Sequence, residues 1–508
     1  MVYHNKTGEV QMGERVERRV FGYADRRHYR SRLRQCLDAL RVLTDGDRFA
    51  VERTLTGMEL ELNLVTDECE PAMRNDEVLS YLADSTIVDK TQITDELGRF
   101  NLEFNLEPRP ITGDGLNNYE RQLCAWMHEV DERARKAHAG PVLIGILPTL
   151  RPEHTNEDSL SPGERYHLLN QQILAARGEE FDLDINGVES LRTFADSIAP
   201  EAANTSVQFH LQLTPRQFPH YWNASQAVAG VQLAAGANSP YMYGSQLWAE
   251  TRIILFEQAT DTRPSEMRAQ GVRPRTFFGE RWIDSVMDLF EENLRYFPSL
   301  LPLCGKENPV EVARSGATPQ LAELRLHNGT VYRWNRPVYD IADGRPHLRV
   351  ENRVLPAGPT PVDICANMAF YLGLVKALTS QDNPVWKRLP FAVAEHNFNS
   401  AARHGITTHQ TWPGVGELPA RVLIAEHLLP LAETGLDALG VETSIRDRLL
   451  SVIAERCRTG INGATWQIGC VQRMEADGLS RPAALREMLR RYVRYSQVNK
   501  PVHEWPLA

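Results

Sequence analysis

Five short segments of the chain alternate between apolar and polar residues, and this pattern predicts five β-strands. In GMELELNL, residues 57–64, every second residue is apolar, and Glu59 and Glu61 lie between them. Because successive side chains of a strand point to opposite faces of its sheet, both carboxylates are predicted on the same face. The other four segments are RFNLEFNLE (99–107), SVQFHLQLT (206–214), LAELRL (321–326) and HLRVENRV (347–354).

The polar faces of these predicted strands contain no lysine. A sheet face that only meets water carries a mixed polar set, in which Lys, Thr and Ser would be well represented. We therefore interpret this face as a concave functional site, with a solvated outer face as the alternative. Its charged and long polar residues include Glu59, Glu61, Glu103, His210, Gln212, Thr214, Glu323, Arg325, Arg349, Glu351 and Arg353.

Carboxylates so close together predict divalent cations. The Cβ atoms of Glu59 and Glu61 are separated by roughly 6.6 Å in a strand, and unpaired carboxylates in a partly buried cleft would repel or protonate. Mg²⁺ takes oxygen ligands and often binds carboxylates together with substrate phosphates, and two ions can lie about 3.5–4 Å apart. Two or three ions are predicted, Mg²⁺ or Mn²⁺, with the ligands Glu59, Glu61, Glu96, Glu103, His210 and Glu351. The arginines predicted to bind phosphate or carboxylate groups are Arg325, Arg336, Arg349 and Arg353.

Helical periodicity appears at about 27–43, 115–138, 161–177, 223–235 and 280–295, and dominates from about 417 onward. Strands and helices are not strictly alternating, so the predicted fold is α+β, an antiparallel or mixed sheet with helices beside it. We predict an N-terminal helical segment (1–46), a catalytic domain (47–415) and a helical C-terminal region (416–508) packed on that domain.

Composition excludes several classes of protein. With 508 residues, a net charge of −10 and a pI near 5.9, the chain does not have the basic excess of a nucleic-acid binder. Seven scattered cysteines without a Cys-x-x-Cys pair fit reduced thiols in the cytoplasm. The sequence contains no apolar run of 18 residues, so no membrane span is predicted, and the N-terminus has no hydrophobic signal core. P-loop, dinucleotide-binding and nucleophile-elbow motifs are absent from the sequence.

The order of the acidic motifs resembles the metal-binding scheme of the glutamine synthetase-like superfamily. A Glu-x-Glu strand comes first, then Glu96 and Glu103 seven residues apart, then a His strand and finally RVENR. Within that superfamily, the chain is similar to the second glutamate–cysteine ligase family, the bacterial and plant-type carboxylate–amine ligases. The stretches that support this are GILPTL (145–150), ANSPYMYGSQLWAETR (237–252), DTR (261–263), NFNSAARHG (397–405) and TGINGATWQ (459–467).

The resemblance implies a glutamine synthetase-like fold, with a curved, mainly antiparallel sheet, flanking helices and a helical C-terminal layer. It implies that ATP phosphorylates the γ-carboxylate of glutamate and that the amino group of cysteine attacks the resulting γ-glutamyl phosphate. Arg353 would act on the transferring phosphoryl group, and Gln212 and Thr214 would contact the nucleotide. Arg336 or Arg252 would bind the glutamate α-carboxylate. A different amine acceptor and a non-catalytic relative remain as alternatives, and homo-oligomerisation is left open.

Overall fold

The computed structural model describes residues 21–46, 48–49 and 54–507. The first 20 residues of the predicted N-terminal segment, including the stretch examined for a signal core, lie outside the described residues. The α-helices are α1 (Tyr23–Asp45), α2 (Asn75–Leu82), α3 (Gly115–Ala134), α4 (Glu164–Arg177), α5 (Phe218–Gly236), α6 (Thr251–Ala259), α7 (Ser265–Ala269), α8 (Val286–Tyr296), α9 (Pro309–Arg314), α10 (Ala322–Asn328), α11 (Pro361–Thr379), α12 (Phe391–His404), α13 (Ala420–Val422), α14 (Leu429–Ala438), α15 (Thr443–Thr459), α16 (Gly463–Ala476) and α17 (Arg481–Ser496). The strands are β1 (Thr56–Val65), β2 (Ile93–Asp95), β3 (Asn101–Arg109), β4 (Gly140–Val142), β5 (Phe181–Asn186), β6 (Ser190–Ala195), β7 (Val207–Leu213), β8 (Tyr241–Met242), β9 (Ser245–Gln246), β10 (Thr276–Phe277), β11 (Tyr332–Arg333), β12 (Asn335–Ala342), β13 (Arg345–Asn352), β14 (His409–Trp412) and β15 (Gly416–Pro419).

A seven-stranded antiparallel sheet organises the molecule. Its strand order is β12-β13-β7-β1-β3-β2, and β4 pairs with the last residues of β1. The sheet curls into a half-barrel, so that its polar face is concave. Four of the five alternating segments are therefore strands, β1, β3, β7 and β13, and the predicted α+β class with a curved antiparallel sheet is confirmed.

The apolar face of the sheet packs on helices. In β1, Met58, Leu60 and Leu62 are at most 1% exposed. The indole of Trp126 on α3 meets the ring of Phe104 edge-on with centroids 5.4 Å apart. On the other side, Phe209 of β7 stacks on a tyrosine of α11. Because one face is buried in this way, a slip of one residue would expose the whole apolar set, and this locks the strand register.

Helix α11 is the most apolar long helix in the described part of the chain. By length and composition alone it could cross a membrane, but 89% of its most apolar window is buried inside the protein. It contacts α5, α14 and α15, which is typical of the central helix of a folded core. Neither α11 nor α12 was among the helices predicted from the sequence.

The predicted strand LAELRL is wrong, because residues 322–328 form α10. A six-residue alternation is too short to distinguish a strand from a helix. Leu324 and Glu323 are both buried in this helix. Glu323 Oε1 accepts a hydrogen bond from Arg32 Nε at 3.0 Å and Oε2 accepts from Cys36 Sγ at 3.3 Å, so this carboxylate ties α10 to α1.

The five helices predicted in the first part of the chain are found as α1, α3, α4, α5 and α8. The last part of the chain is helical from Ala420, close to the predicted start. One contiguous hydrophobic cluster includes residues of α1, of the sheet and of the C-terminal helices. The division into three regions stays a prediction.

Candidate active site

Strand pairing brings the predicted site residues together on the concave face. Glu61 of β1 lies directly opposite Glu103 of β3. Glu351 of β13 lies opposite His210 of β7, and Arg336 of β12 lies opposite Glu351. Directly opposite residues of antiparallel strands have Cα atoms about 4.5–5.5 Å apart. Residues as far apart in the sequence as His210 and Glu351 thus become neighbours.

Glu59, His210 and Glu351 form the first acidic group of the site. One ligand atom from each lies within 4.8 Å of the others, and in the described part of the chain this is the one group of three potential metal ligands so close together. His210 Nε2 is 3.2 Å from Glu59 Oε1. Gly57, rather than a residue with a side chain, lies opposite His210 on β1. This leaves room for the imidazole to lean toward Glu59.

Two arginines hold Glu351. Arg336 binds it through two parallel hydrogen bonds, Nε to Oε1 at 3.0 Å and Nη2 to Oε2 at 2.8 Å. Arg353 Nε lies 3.0 Å from Oε1, and Arg353 Nη2 donates to Gln208 Oε1 at 3.2 Å. Burial alone would raise the pKa of Glu351, but the two guanidinium groups outweigh it and hold the pKa at about 2. Glu351 is therefore ionised across the physiological range.

Glu61, Glu96 and Glu103 form the second acidic group. Glu61 accepts hydrogen bonds from the Ser206 backbone N–H at 2.6 Å and from Gln208 Nε2 at 3.0 Å. Burial raises the pKa of Glu61 and of Glu96 to about 7, and repulsion from neighbouring carboxylates adds to this. The pKa of Glu103 is raised well above its usual value, again by burial first and then by Glu59 and Glu96. Arg353 lowers the pKa of Glu61, and Arg165 lowers those of Glu96 and Glu103, but these effects do not outweigh burial. A bound cation would supply the missing charge.

The imidazole of His210 has a defined proton arrangement. Arg349 Nε donates to His210 Nδ1 at 3.0 Å, and burial lowers the pKa of the ring, which favours its neutral form. With Nδ1 accepting, the proton of a neutral ring lies on Nε2, the atom that faces Glu59. The carboxylate oxygens of the site therefore fit a hard cation as they stand. Ligation by Nε2 requires Arg349 to release Nδ1.

Arg349 is itself held in place by charge. Its Nη1 lies 3.2 Å from Asp340 Oδ2, and Asp340 Oδ1 lies 3.0 Å from Arg325 Nη2. Arg325 thus reaches the same corner of the sheet from α10, although the strand predicted for it does not exist. The contact with Asp340 thus holds the guanidinium of Arg349 against His210.

The remaining predicted residues lie at the border of this site. Arg252 is 3% exposed; its Nε donates to Glu250 Oε1 at 3.0 Å and its Nη2 donates to the Val354 carbonyl. These contacts favour a structural role and leave Arg336, which is 17% exposed, as the more accessible guanidinium. Gln212 lies opposite Arg349 in the sheet and is half-buried. Thr214 lies in the turn before α5, where its hydroxyl donates to Gln217 Oε1 at 3.0 Å. Their roles toward a nucleotide stay predictions.

Three residues at the site were not predicted from the sequence. Gln208 bridges Glu61 and Arg353 through its amide. Its position on the polar face of β7 could have identified it as a site residue from the sequence. Arg165, at the start of α4, opposes the effect of burial on the pKa of Glu96. Glu201 lies in a short 3₁₀ helix, Ala199–Ala203. Neither of the last two is on a strand, so alternation could not identify them.

A curled sheet that carries two acidic groups beside Arg336 and Arg353 has the features of an enzyme that activates a carboxylate by phosphoryl transfer, because this chemistry depends on charge neutralisation and positioning. The sequence model of glutamate-cysteine ligase family 2 (GCS2) matches residues 55–483, and the chain belongs to this family. It is thus an ATP-dependent carboxylate–amine ligase.

Several solved structures are similar in outline. Glutamate–cysteine ligase from Francisella tularensis, in complex with AMP, is 11% identical with a TM-score of 0.49, and the match covers 91% of both chains. A bifunctional glutathione synthetase from Pasteurella multocida is 14% identical with a TM-score of 0.48; the match covers 91% of this chain and 53% of that one. The ligase PafA, in complex with the ubiquitin-like protein Pup, is 11% identical with a TM-score of 0.40, covering 89% and 74%. No curated protein matches the sequence.

Proposed function

We propose that this protein is a glutamate–cysteine ligase. It would join the γ-carboxylate of glutamate to the amino group of cysteine, with ATP converted to ADP and phosphate. The observation that carries the proposal is the pair of acidic groups on one concave face, held next to Arg336 and Arg353 within the region matched by the family. The name of that family supports glutamate and cysteine as the substrates.

The first acidic group would hold one divalent cation through Glu59 and Glu351, joined by His210 once Arg349 releases Nδ1. The second would hold one or two more through Glu61, Glu96 and Glu103. When bound, Mg²⁺ or Mn²⁺ would neutralise these carboxylates and the phosphate oxygens of ATP. The raised pKa values of Glu61 and Glu96 support this assignment, since both groups bind a proton in the absence of a stronger cation.

The arginines would handle the anionic parts of the reaction. Arg353 is fixed by Glu351 on one side and by Gln208 on the other, so its guanidinium can stabilise the phosphoryl group during transfer without reorganisation. Arg336 is oriented by its paired hydrogen bonds to Glu351, and its exposed edge can bind the glutamate α-carboxylate. Gln212 and Thr214 would contact the nucleotide from the end of β7.

The proposed reaction needs no covalent intermediate on the protein. The glutamate γ-carboxylate attacks the γ-phosphorus of ATP, and ADP leaves with the bridging electron pair. The cysteine nitrogen then forms a bond to the acyl carbon, and phosphate leaves. Positioning and charge neutralisation supply most of the acceleration in phosphoryl transfer.

The test is ADP formation with Mg²⁺ and glutamate, with each amino acid in turn as the acceptor, followed by mass spectrometry of the product. Cysteine-stimulated turnover and γ-glutamylcysteine are expected. If another amine stimulates turnover instead, that amine is the acceptor in place of cysteine. A folded protein without any glutamate-dependent ADP formation would overturn the proposal.

Two arginine variants sharpen this assay. Arg353→Gln is expected to lower kcat at least 100-fold, because it removes a donor that acts on the transferring group. Arg458→Gln removes an exposed arginine that, among the residues described, pairs with Glu455 alone. It serves as the matched control, with activity within twofold of the wild type.

A further inference from the structure

Glu201 lies in a short 3₁₀ helix at the border of the site. In this helix, Ala199–Ala203, the other four residues are buried and only Glu201 is partly exposed. A 3₁₀ helix has three residues per turn, so a single residue can point away from the protein core. Glu201 is thus the one residue of this helix that is not fully buried.

The neighbours of the helix place Glu201 beside the second acidic group. Ala202 packs against Gly98, where an added Cβ would lie 3.0 Å from the Ala202 Cβ, and Gly98 follows Glu96 by two residues. Beyond the helix, the Ser206 N–H donates to Glu61 at 2.6 Å. The helix also packs against α6. Its backbone therefore lies between the Glu96 turn and the strand that carries Glu61.

The charges around Glu201 are unbalanced. Among the described residues, its carboxylate makes no hydrogen bond and no ion pair. The groups close enough to act on it are Glu96 and Arg353, and the phenol of Tyr332 is also affected by it. Burial raises the pKa of Glu201 to about 8, Glu96 adds to this increase, and Arg353 opposes it. A cationic ligand would satisfy this carboxylate, whereas an anionic one would be repelled.

We propose that Glu201 binds the ammonium group of the acceptor amine and takes up the proton that this group loses. The proposal rests on the proposed function, since it concerns the second half of the same reaction. Arg353 is close enough to Glu201 to lower the pKa of its carboxyl, and in the proposed reaction the acyl phosphate would form beside Arg353. An amine bound to Glu201, whose helix packs beside the second acidic group, would thus be held near the acyl carbon that it must attack.

The proton balance of the step follows directly. The amine arrives as an ammonium ion and transfers one proton to the Glu201 carboxylate, which leaves a lone pair on nitrogen. That lone pair forms the C–N bond to the acyl carbon, the C–O bond to phosphate breaks, and phosphate leaves with its electron pair. The second proton lost from nitrogen goes to phosphate or water.

The experiment separates binding of an ammonium ion from formation of the acyl phosphate. Wild-type protein, Glu201→Gln and Glu201→Asp are assayed with Mg²⁺, ATP and glutamate, with either cysteine or hydroxylamine as the acceptor. Hydroxylamine is largely unprotonated at pH 8 and attacks acyl phosphates without help from a base. If the amine panel identifies another acceptor, that amine takes the place of cysteine.

For Glu201→Gln we expect hydroxamate formation within about threefold of the wild type. The cysteine-dependent rate should fall by at least 100-fold, as for loss of a general base, and the KM for cysteine should rise. Glu201→Asp should recover part of this rate. Glu504→Gln, an exposed glutamate that is also in a 3₁₀ helix, is the matched control and should leave both rates unchanged.

Two results would overturn the role of Glu201. Equal rates with cysteine in Glu201→Gln and wild type would show that the carboxylate takes no part. An equal loss of both products, in a variant with the wild-type melting temperature, would show that it supports the acidic groups rather than the acceptor. A wild-type protein that forms neither product fails at an earlier point, because that result overturns the proposed function itself.

Discussion

The substitution Glu61→Gln is expected to stabilise the cation-free protein and to abolish its activity. Burial and repulsion from Glu103 raise the pKa of Glu61 from 4.5 to about 7. A carboxyl whose pKa is higher in the folded state costs stability as the pH rises from about 4.5 to about 7, and the full cost remains above pH 7. A neutral amide at this position avoids that cost.

The magnitude follows from the pKa values and the contacts. The difference between 4.5 and 7 corresponds to a cost of about 3 kcal/mol at pH 8. Glutamine retains one of the two hydrogen bonds that Glu61 accepts from Ser206 and Gln208, and the lost one costs about 1 kcal/mol. A net gain of about 2 kcal/mol remains. For a chain of 508 residues this raises the melting temperature by ~2 °C. At pH 5, where folded Glu61 is already mostly protonated, the gain should disappear.

The assay is thermal unfolding in EDTA and in Mg²⁺, at pH 5 and pH 8. In the wild type, Mg²⁺ at about 100 times its Kd should stabilise by ~2.7 kcal/mol; in Glu61→Gln this increase should largely vanish, together with the Mg²⁺-dependent ligase activity. Glu504→Gln should behave as the wild type. A lower melting temperature for Glu61→Gln in EDTA at pH 8, with an unchanged response to Mg²⁺, would refute the reasoning and favour a face that is merely solvated.

Three further substitutions test other parts of the structure. Glu59→Gln should reduce Mg²⁺-dependent activity by orders of magnitude with little change in melting temperature; activity that survives would remove Glu59 from the ligand set. Glu323→Leu should destabilise the protein by about 3 kcal/mol in urea unfolding, because it leaves Arg32 facing an apolar side chain at a buried contact between α1 and α10. An unchanged free energy of unfolding would show that this position is exposed rather than buried. Gly373→Ala should destabilise by about 1–3 kcal/mol, because its Cβ would meet the Ala432 carbonyl at the close contact of α11 with α14; unchanged unfolding would show that the helices can separate without cost.

The strands that carry the site could be predicted because their pattern is local. In β1, β3, β7 and β13 the apolar residues recur every second position and face the core, so the carboxylates between them must share the opposite face. The same argument failed for LAELRL, where three apolar positions also fit the face of a short helix. The helix is favoured by tertiary contacts, among them the burial of Leu324 and the hydrogen bond from Arg32 to Glu323.

The roles of the arginines could not be read from spacing. Arg252 and Arg336 both looked suited to bind a carboxylate. The structure buries Arg252 against Glu250 and leaves Arg336 partly exposed beside Glu351. The difference arises from which elements surround each side chain, and no short sequence window contains that information.

The sequence by itself determined that several strands would each present acidic residues on one face, because the two-residue period of a strand is a property of the backbone. The tertiary structure decided which of those residues meet, through the strand order that places β13 beside β7 and β7 beside β1. It also brought in Arg165 and Glu201 from segments outside the sheet. Local periodicity specifies the direction of a side chain, whereas distance between remote residues is specified only when the sheet pairs and its apolar face is buried.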